Sequence, residues 1–399
     1  MVTHHYSDGP RLLADIGGTN ARFALELGPG QIVQIARLAC ADHARFEDAL
    51  RAYLAARPGV KVRHAIVAIA NPIDGDRVVM TNHDWQFSIG ATRAALGFET
   101  LLVVNDFAAL AMSVPALAPG ELERIGGGSA QAGAVIGLVG AGTGLGVAGL
   151  IPADGHWMTL QSEGGHVTFS PADERELAVL TYCWERYPHV SAERLVSGPG
   201  IALIHQALAH GAGDAGGGLS ATACVHVEGS GGLVDEANAL AAGARASVDE
   251  ARISTDAPLS TETIVERALA GSDPLCVATL DCFCGMLGTV AANVAVTLCA
   301  RGGIYIGGGV VPRLGSYFAC SPFRARFESK GRFSSFTAKI PTFLITAPYP
   351  ALLGGAALLS QHLADAAERA LTFGRGGALL GSTGLPPAAT DTELRHAPF

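Results

Sequence analysis

Twice in this chain an apolar strand runs into a short glycine turn and straight out into a second strand. The first instance reads Arg11-Leu-Leu-Ala-Asp-Ile-Gly-Gly-Thr-Asn-Ala-Arg-Phe-Ala-Leu-Glu-Leu, with Phe23, Leu25 and Leu27 alternating against Arg22, Ala24 and Glu26. Period two on the far side of the glycines predicts strand, turn, strand. A Rossmann or P-loop site would need a helix there instead. The second instance is Val135–Val139, Gly140–Gly146 and Val147–Ile151, roughly 125 residues later. The likeness of Asp15-Ile-Gly-Gly-Thr to Gly140-Ala-Gly-Thr-Gly points to an internal duplication: two α/β lobes, each offering a glycine hairpin to one ligand. A length of 399 residues fits two such lobes. A third glycine run, Gly302-Gly-Ile-Tyr-Ile-Gly-Gly-Gly-Val-Val-Pro312, reads as a strand followed by a loop.

Between these landmarks the patterning is that of an α/β protein. Phe46, Ala49, Leu50, Tyr53 and Leu54 make the stripe of an amphipathic helix over 43–56. Strands are expected at His64–Ala70, Val78–Thr81 and Leu101–Asn105, and helices at Asp173–Arg186, Thr261–Ala270, 282–300, Pro322–Lys330 and Leu353–Leu371. From Gly211 to Pro258 the chain is rich in Gly, Ala and Ser, the composition of an insertion. The tail from Thr372 carries turn residues and little pattern. The expected division is a small lobe over 1–115 completed by helix 353–371, a large lobe over 116–352, and a weakly structured 372–399.

Composition removes several classes of function. Hydrophobic residues are 49% and charged ones 16%, which excludes a disordered chain or a coiled coil. The net charge of −9 argues against a general binder of nucleic acid or anionic membrane. Lys61, Lys330 and Lys339 are the only lysines and none follows a glycine, so GxxxxGK[ST] cannot occur. Phosphate chemistry must then use another device. Eight scattered cysteines, with no secretory pattern near Met1, predict reduced thiols in a cytoplasmic protein. Of two uncharged stretches long enough to span a bilayer, Ile125–Ala153 carries ten glycines, and Cys282–Ala300 is interrupted by Thr289, Asn293 and Thr297. The second is expected to be a core helix.

Backbone amides at a glycine turn form a concave nest that an anion can approach closely, because no Cβ intervenes. Three such turns, Asp15–Asn20, Gly140–Gly146 and Gly307–Gly309, point to an anion-binding role rather than three tight hairpins. Asp15, beside Gly17, Gly18 and Thr19, could orient a hydrated Mg²⁺. Asp106 sits at the carboxyl end of an apolar strand, where ligands bind in open α/β sheets. A partly desolvated carboxylate there can take the proton of a hydroxyl attacking phosphorus. Taken alone, Asn105-Asp106 also reads as a helix N-cap. Ser162-Glu163-Gly164-Gly165-His166 and Ser191-Ala-Glu193 add carboxylates and an imidazole, the paired donors and acceptors that sugar hydroxyls need.

In this order the pieces resemble the bacterial glucokinase family. The matching stretches are Asp15-Ile-Gly-Gly-Thr-Asn-Ala-Arg-Phe, Met80-Thr-Asn-His-Asp-Trp-Gln-Phe-Ser, Asn105-Asp-Phe, Gly140-Ala-Gly-Thr-Gly-Leu-Gly-Val, Glu163-Gly-Gly-His-Val, Val190-Ser-Ala-Glu-Arg, Ser197-Gly-Pro-Gly, Gly307-Gly-Gly-Val-Val-Pro-Arg and Phe327-Glu-Ser-Lys-Gly-Arg-Phe. The resemblance implies a two-lobed, actin-like (ribonuclease H-like) ATPase fold closing over ATP and glucose, with Mg²⁺ on the phosphates. It implies Asp106 as catalytic base and Asn105, Asp106, Glu163, His166 and Glu193 as hexose ligands. It places the nucleotide against Ala14, Asp15, Ile16, Gly17, Gly18 and Thr19, against Gly142, Thr143 and Gly144, and against Gly307, Gly308 and Gly309. Ala14 stands where the family often has glycine. A homodimer is implied as well. The alternatives are a kinase for another hexose on the same scaffold and an actin-like ATPase acting as a binding module, which would not need the polar cluster.

Three other patterns have plainer readings. Cys282-Phe-Cys-Gly-Met-Leu-Gly288 superficially resembles the zinc-binding CxCGxxGC of the ROK sugar kinases and repressors, but Thr289 replaces the last cysteine, so a core helix is expected. Arg324, Arg326, Lys330 and Arg332, interleaved with Phe323, Phe327 and Phe333, read as an amphipathic helix with a solvated basic face. A DNA-reading helix-turn-helix before Asp15 has only 14 residues to fit in.

Overall fold

In the computed structural model, which describes residues 5–80, 83–214 and 258–379, Arg11–Ile16 (β1) turns at the glycines and returns as Asn20–Glu26 (β2). Leu12 pairs with Leu25 and Ala14 with Phe23, so each rung buries apolar side chains. Ile32–Ala39 (β3) follows, then Phe46–Ala55 (α1), whose Phe46, Ala49, Leu50 and Tyr53 are buried as the stripe requires. His64–Ile69 (β4) is buried along its whole length, as a central parallel strand must be. Arg77–Val79 (β5) and Gln86–Ser88 (β6) form a small ribbon. Ile89–Leu96 (α2) is capped by Ser88, whose Oγ accepts the Ala91 N–H, and stopped by Gly97 at φ 69°. Thr100–Asn105 (β7) completes a sheet of order β3-β2-β1-β4-β7 and runs directly into Asp106–Ser113 (α3).

The second half repeats this plan. Leu122–Ile125 (β8) precedes Ile136–Ala141 (β9), Leu145–Ala153 (β10) and His156–Ser162 (β11). Three helices follow, Glu174–Trp184 (α4), Ala192–Leu195 (α5) and Gly198–Asp214 (α6). After helices Thr261–Leu269 and Pro274–Leu298 come Ile304–Gly307 (β12) and Thr342–Ile345 (β13). The sheet order is β11-β10-β9-β12-β13-β8. From the outer strand inward, both sheets have two antiparallel pairings and then two parallel ones, and β8 adds an antiparallel edge to the second. The duplication expected from the glycine hairpins is therefore a duplication of whole sheets.

Helix Pro274–Leu298 begins earlier than the expected 282, because Asp273 caps it through the Leu275 and Cys276 amides and Pro274 occupies its first turn. It is long and apolar enough to cross a membrane, but 78% of its most apolar window is buried inside the protein. Cys282 and Cys284 lie in that core, and no group of three or more His, Cys, Asp or Glu able to hold a metal occurs among the described residues. Helix Pro350–Leu379 packs on α3, β4 and β1, so the C-terminal element joins the first sheet. It continues past Leu371, which makes the first residues of the expected tail helical; the rest of the tail and most of the 211–258 stretch lie outside the described residues.

The basic cluster departs from expectation. The Arg324 guanidinium donates to Ile340 O at 2.9 Å and to Glu328 Oε1 at 2.6 Å, while Arg326 Nη1 meets Glu176 Oε1 at 2.6 Å and Arg326 Nη2 meets Asp173 Oδ2 at 2.5 Å. These two arginines do not form a solvated face. They tie helix Phe323–Glu328 to α4 and to the end of the second sheet.

Candidate active site

Asp106 owes its place to a chain of local causes. The parallel strand β7 delivers Asn105 to the sheet's carboxyl end, where Asn105 caps α3: its Oδ1 accepts the Phe107 N–H at 2.9 Å and the Ala108 N–H at 3.1 Å. The cap reading of Asn105 is thus realised, and its Nδ2 donates to Asn71 O at 3.4 Å. Asp106, the first residue of the helix, also accepts the Phe107 N–H, at 2.8 Å. Burial, with the neighbouring Asp15 and Glu163 carboxylates adding to it, pushes the Asp106 carboxyl up to about 6, against the pull of the backbone amides. A carboxylate held there is a far better proton acceptor than an exposed aspartate, and above that pH it is ionised and ready.

Asp15 faces the same cleft from β1 and is bonded to Arg22 across the hairpin at 2.7 Å. Its carboxyl is raised by burial, with Arg22 opposing. The hairpin motif contains Arg22 but gives it no role in isolation; the register that sets Asp15 opposite Arg22 is the signal for one, since directly paired residues of a strand pair share a face.

Across from Asp106, the loop 163–169 carries the remaining polar groups. His166 lies 3.8 Å from Glu163 and 3.9 Å from Glu193, so three of the expected sugar ligands do converge. An isolated bridge between Thr168 and Ser191, with the Ala192 N–H donating to Val167 O at 2.8 Å, joins that loop to α5 and brings Glu193 to it. Ser191 caps α5. A Cβ on Gly165 would stand 2.0 Å from Leu145 O, so only glycine lets the loop lie this close to β10. One Glu193 oxygen accepts the Leu145 N–H at 2.8 Å, which leaves its other oxygen toward His166. Glu163 and His166 are exposed and Glu193 half-buried, so a small polar ligand could reach all three.

The second and third glycine turns lie side by side. A Cβ on Gly142 would come within 3.9 Å of the Gly309 amide, and Gly308, at φ +83°, packs its backbone against Ala141. The N–H of Gly198, at the start of α6, donates to Gly142 O at 2.8 Å, so the positive end of a 17-residue helix abuts the turn. Of the expected nucleotide residues, Asp15, Gly17, Gly18, Thr19, Gly142, Thr143, Gly144, Gly308 and Gly309 are at least partly accessible. Ala14, Ile16 and Gly307 are not: strand alternation turns Ala14 and Ile16 into the core, and Gly307 lies buried under Leu110. They support the turns from beneath.

The chain is similar to known proteins over most of its length. The sequence model of the Glucokinase family matches residues 12–362. The bifunctional protein glk of Burkholderia pseudomallei is 54% identical over 360 residues, covering 90% of this chain and 50% of that protein. The chain thus spans about half the length of such bifunctional relatives. The glucokinase of Chromobacterium violaceum is 46% identical over 361 residues, covering 90% of this chain and 92% of that one. Among solved structures, the glucokinase of an Antarctic psychrotroph superposes with a TM-score of 0.71 at 33% identity, over 88% of this chain and 99% of that one. With a match that runs from β1 into the C-terminal helix and a duplicated two-sheet fold shared with a solved relative, the chain belongs to the glucokinase family.

Proposed function

We propose that the protein transfers the γ-phosphoryl group of ATP to the 6-hydroxyl of glucose. The observation that carries this reading is the partly buried Asp106 carboxylate, raised to about 6, facing a cluster of Glu163, His166 and Glu193 at the mouth of two adjoining glycine turns. Asp106 takes the hydroxyl proton as that oxygen attacks phosphorus. Asn105, Glu163, His166 and Glu193 hold the other hydroxyls. The amides of 17–19, 142–144 and 308–309 receive the phosphates, since bare glycine backbone leaves space that a Cβ would fill. For Mg²⁺, the donor set fits a phosphate-bound hydrated ion: Asp15 lies beside the first turn, Arg22 already engages its Oδ2, and no multi-residue cage exists among the described residues. When bound, Mg²⁺ supplies neutralisation of phosphate charge.

The division into a small lobe of 1–115 with the C-terminal helix and a large lobe of 116–352 follows the two sheets, and closure of one on the other would exclude water. Assembly as a homodimer belongs to the same reading, and sedimentation at micromolar concentration checks it. The direct test of function is a coupled assay of ADP release without sugar, with glucose and with other hexoses. Release only with glucose is the expected result; equal release without sugar, or a preference for another hexose, would displace this reading.

Two results are expected from the geometry. Glu163→Gln and His166→Ala should raise the glucose KM far more than the ATP KM, because they unpair groups that face the sugar. An equal rise in both would place these residues elsewhere. With its carboxyl raised to about 6, Asp106 is protonated and inactive below that pH. The glucose kcat/KM should therefore fall about tenfold per pH unit below roughly 6 and level off above it. A profile flat down to pH 4.5 would contradict a raised base.

A further inference from the structure

Three glycines lie in one row across the second sheet. Gly146 of β10 is directly opposite Gly140 of β9, and Gly140 is opposite Gly307 of β12. The row makes a shelf without side chains, and the first turn of α3 rests on it. A Cβ on Gly140 would stand 2.5 Å from Cζ of Phe107, one on Gly146 2.1 Å from Cδ2 of the same ring, and one on Gly307 2.6 Å from Leu110 Cδ2. On its other side α3 is crossed by helix Pro350–Leu379 at Gly354, where a Cβ would lie 1.7 Å from Ala109 O. The helix that starts with Asp106 is therefore wedged between the glycine row and Gly354 of the C-terminal helix.

This row also adjoins the glycine turns directly. Gly140 and Gly146 bracket the turn 142–144, and Gly307 leads into 308–309. Phe107 is the residue after Asp106, and its own N–H is bonded by both Asn105 and Asp106. The Phe107 ring thus lies on the two strand residues that flank the second turn, beside the carboxylate of the preceding residue, and a side chain at 140 or 146 would collide with it.

We propose that Phe107, seated on the Gly140 and Gly146 shelf, is a positioning residue that sets the Asp106 carboxylate at its working distance from the turns that receive the phosphates. The inference rests on the reading of Asp106 as base and adds how that base is held in register with the nucleotide. A displacement of about 1 Å between reacting groups can cost roughly 100-fold in rate. Phe107→Ala opens a gap under α3, and Gly146→Ala pushes a methyl into the space of the ring. The two act from opposite sides of one contact.

The test compares full-length Phe107→Ala, Phe107→Leu, Gly146→Ala and Asp106→Asn with the parent, with active sites counted by calorimetric titration with glucose. Phe107→Ala and Gly146→Ala are expected to lower kcat per counted site roughly 10- to 100-fold, with both KM values within about threefold of the parent. Phe107→Leu, which still covers part of the shelf, should recover most of the loss. A folded Phe107→Ala with kcat within about threefold of the parent would overturn the proposal, and so would losses accompanied by a parallel rise in both KM values, the signature of general loosening. Should Gly146→Ala prove insoluble, the Phe107 pair decides alone. Asp106→Asn separates the two readings: if it keeps parental turnover the base assignment fails, whereas if it is inactive while Phe107→Ala is not, only the positioning role fails.

Discussion

Replacing Asp106 with asparagine is expected to lower kcat by roughly 10²–10⁴-fold, the span over which positioned general bases act. Asparagine keeps the size of the side chain and an oxygen that can accept the Phe107 N–H, now made at 2.8 Å, so the start of α3 is preserved. The lost capacity is proton acceptance. Burial together with Asp15 and Glu163 raises the carboxyl, so the wild-type group takes up a proton at about pH 6, and an amide does not. Removing a partly buried negative charge from beside two other carboxylates should leave folding stability equal or higher. A stable variant with little turnover is the predicted combination, read by steady-state kinetics beside thermal unfolding. Turnover within a few-fold of the parent would end the assignment of Asp106 as base.

The largest loss of stability is expected at Arg326. Its guanidinium bonds Glu176, whose side chain is 2% exposed, and Asp173, while the second Glu176 oxygen accepts the Ala172 N–H at 2.7 Å. Arg326→Ala would strand a buried carboxylate, which costs about 3–5 kcal/mol when one partner of such a pair is removed. The Glu176 carboxyl is already raised by burial, with the Ala172 amide and Arg326 opposing. Without the arginine it rises further. A raised acid binds its proton more tightly in the folded state, so the deficit should be larger at pH 7 than at pH 5, because protonation removes the unpaired charge as pH falls through the variant's raised folded value. Urea denaturation at pH 7 and pH 5 measures both. A loss below about 1 kcal/mol at pH 7 would show that the pair behaves like an exposed salt bridge. Replacing Glu176 and Arg326 together by methionine should recover much of the loss, because no unpaired charge remains between them.

The fold was legible wherever a local pattern had a single physical outcome. Period two on either side of Gly17-Gly18 and of Gly142–Gly144 could only be a hairpin, and two hairpins of one kind already implied the duplicated sheets. The position of Asp106, one residue past an apolar strand, was legible for the same reason, because a parallel strand ends at the edge of the sheet where open α/β folds bind ligands. Boundaries were less so: helix Pro274–Leu298 starts at a cap, Asp273, that the apolar run after it conceals. The arginine cluster misleads as a sequence pattern because Asp173 and Glu176 lie some 150 residues away along the chain, and spacing cannot reveal partners at that separation.

By itself, then, the sequence determined the strands, the glycine turns and the chemical types brought to the cleft, since these depend on residues within a few positions of one another. Only the tertiary structure decided that Ala14, Ile16 and Gly307 lie beneath the site and that Arg22 pairs with Asp15. It also decided that one Glu193 oxygen is committed to the Leu145 amide and that Phe107 rests on a row of glycines drawn from β9 and β10. Each of these is a matter of which face a side chain presents and which distant backbone lies against it. Those are set by how strands from different parts of the chain align and pack, and no local pattern encodes that alignment.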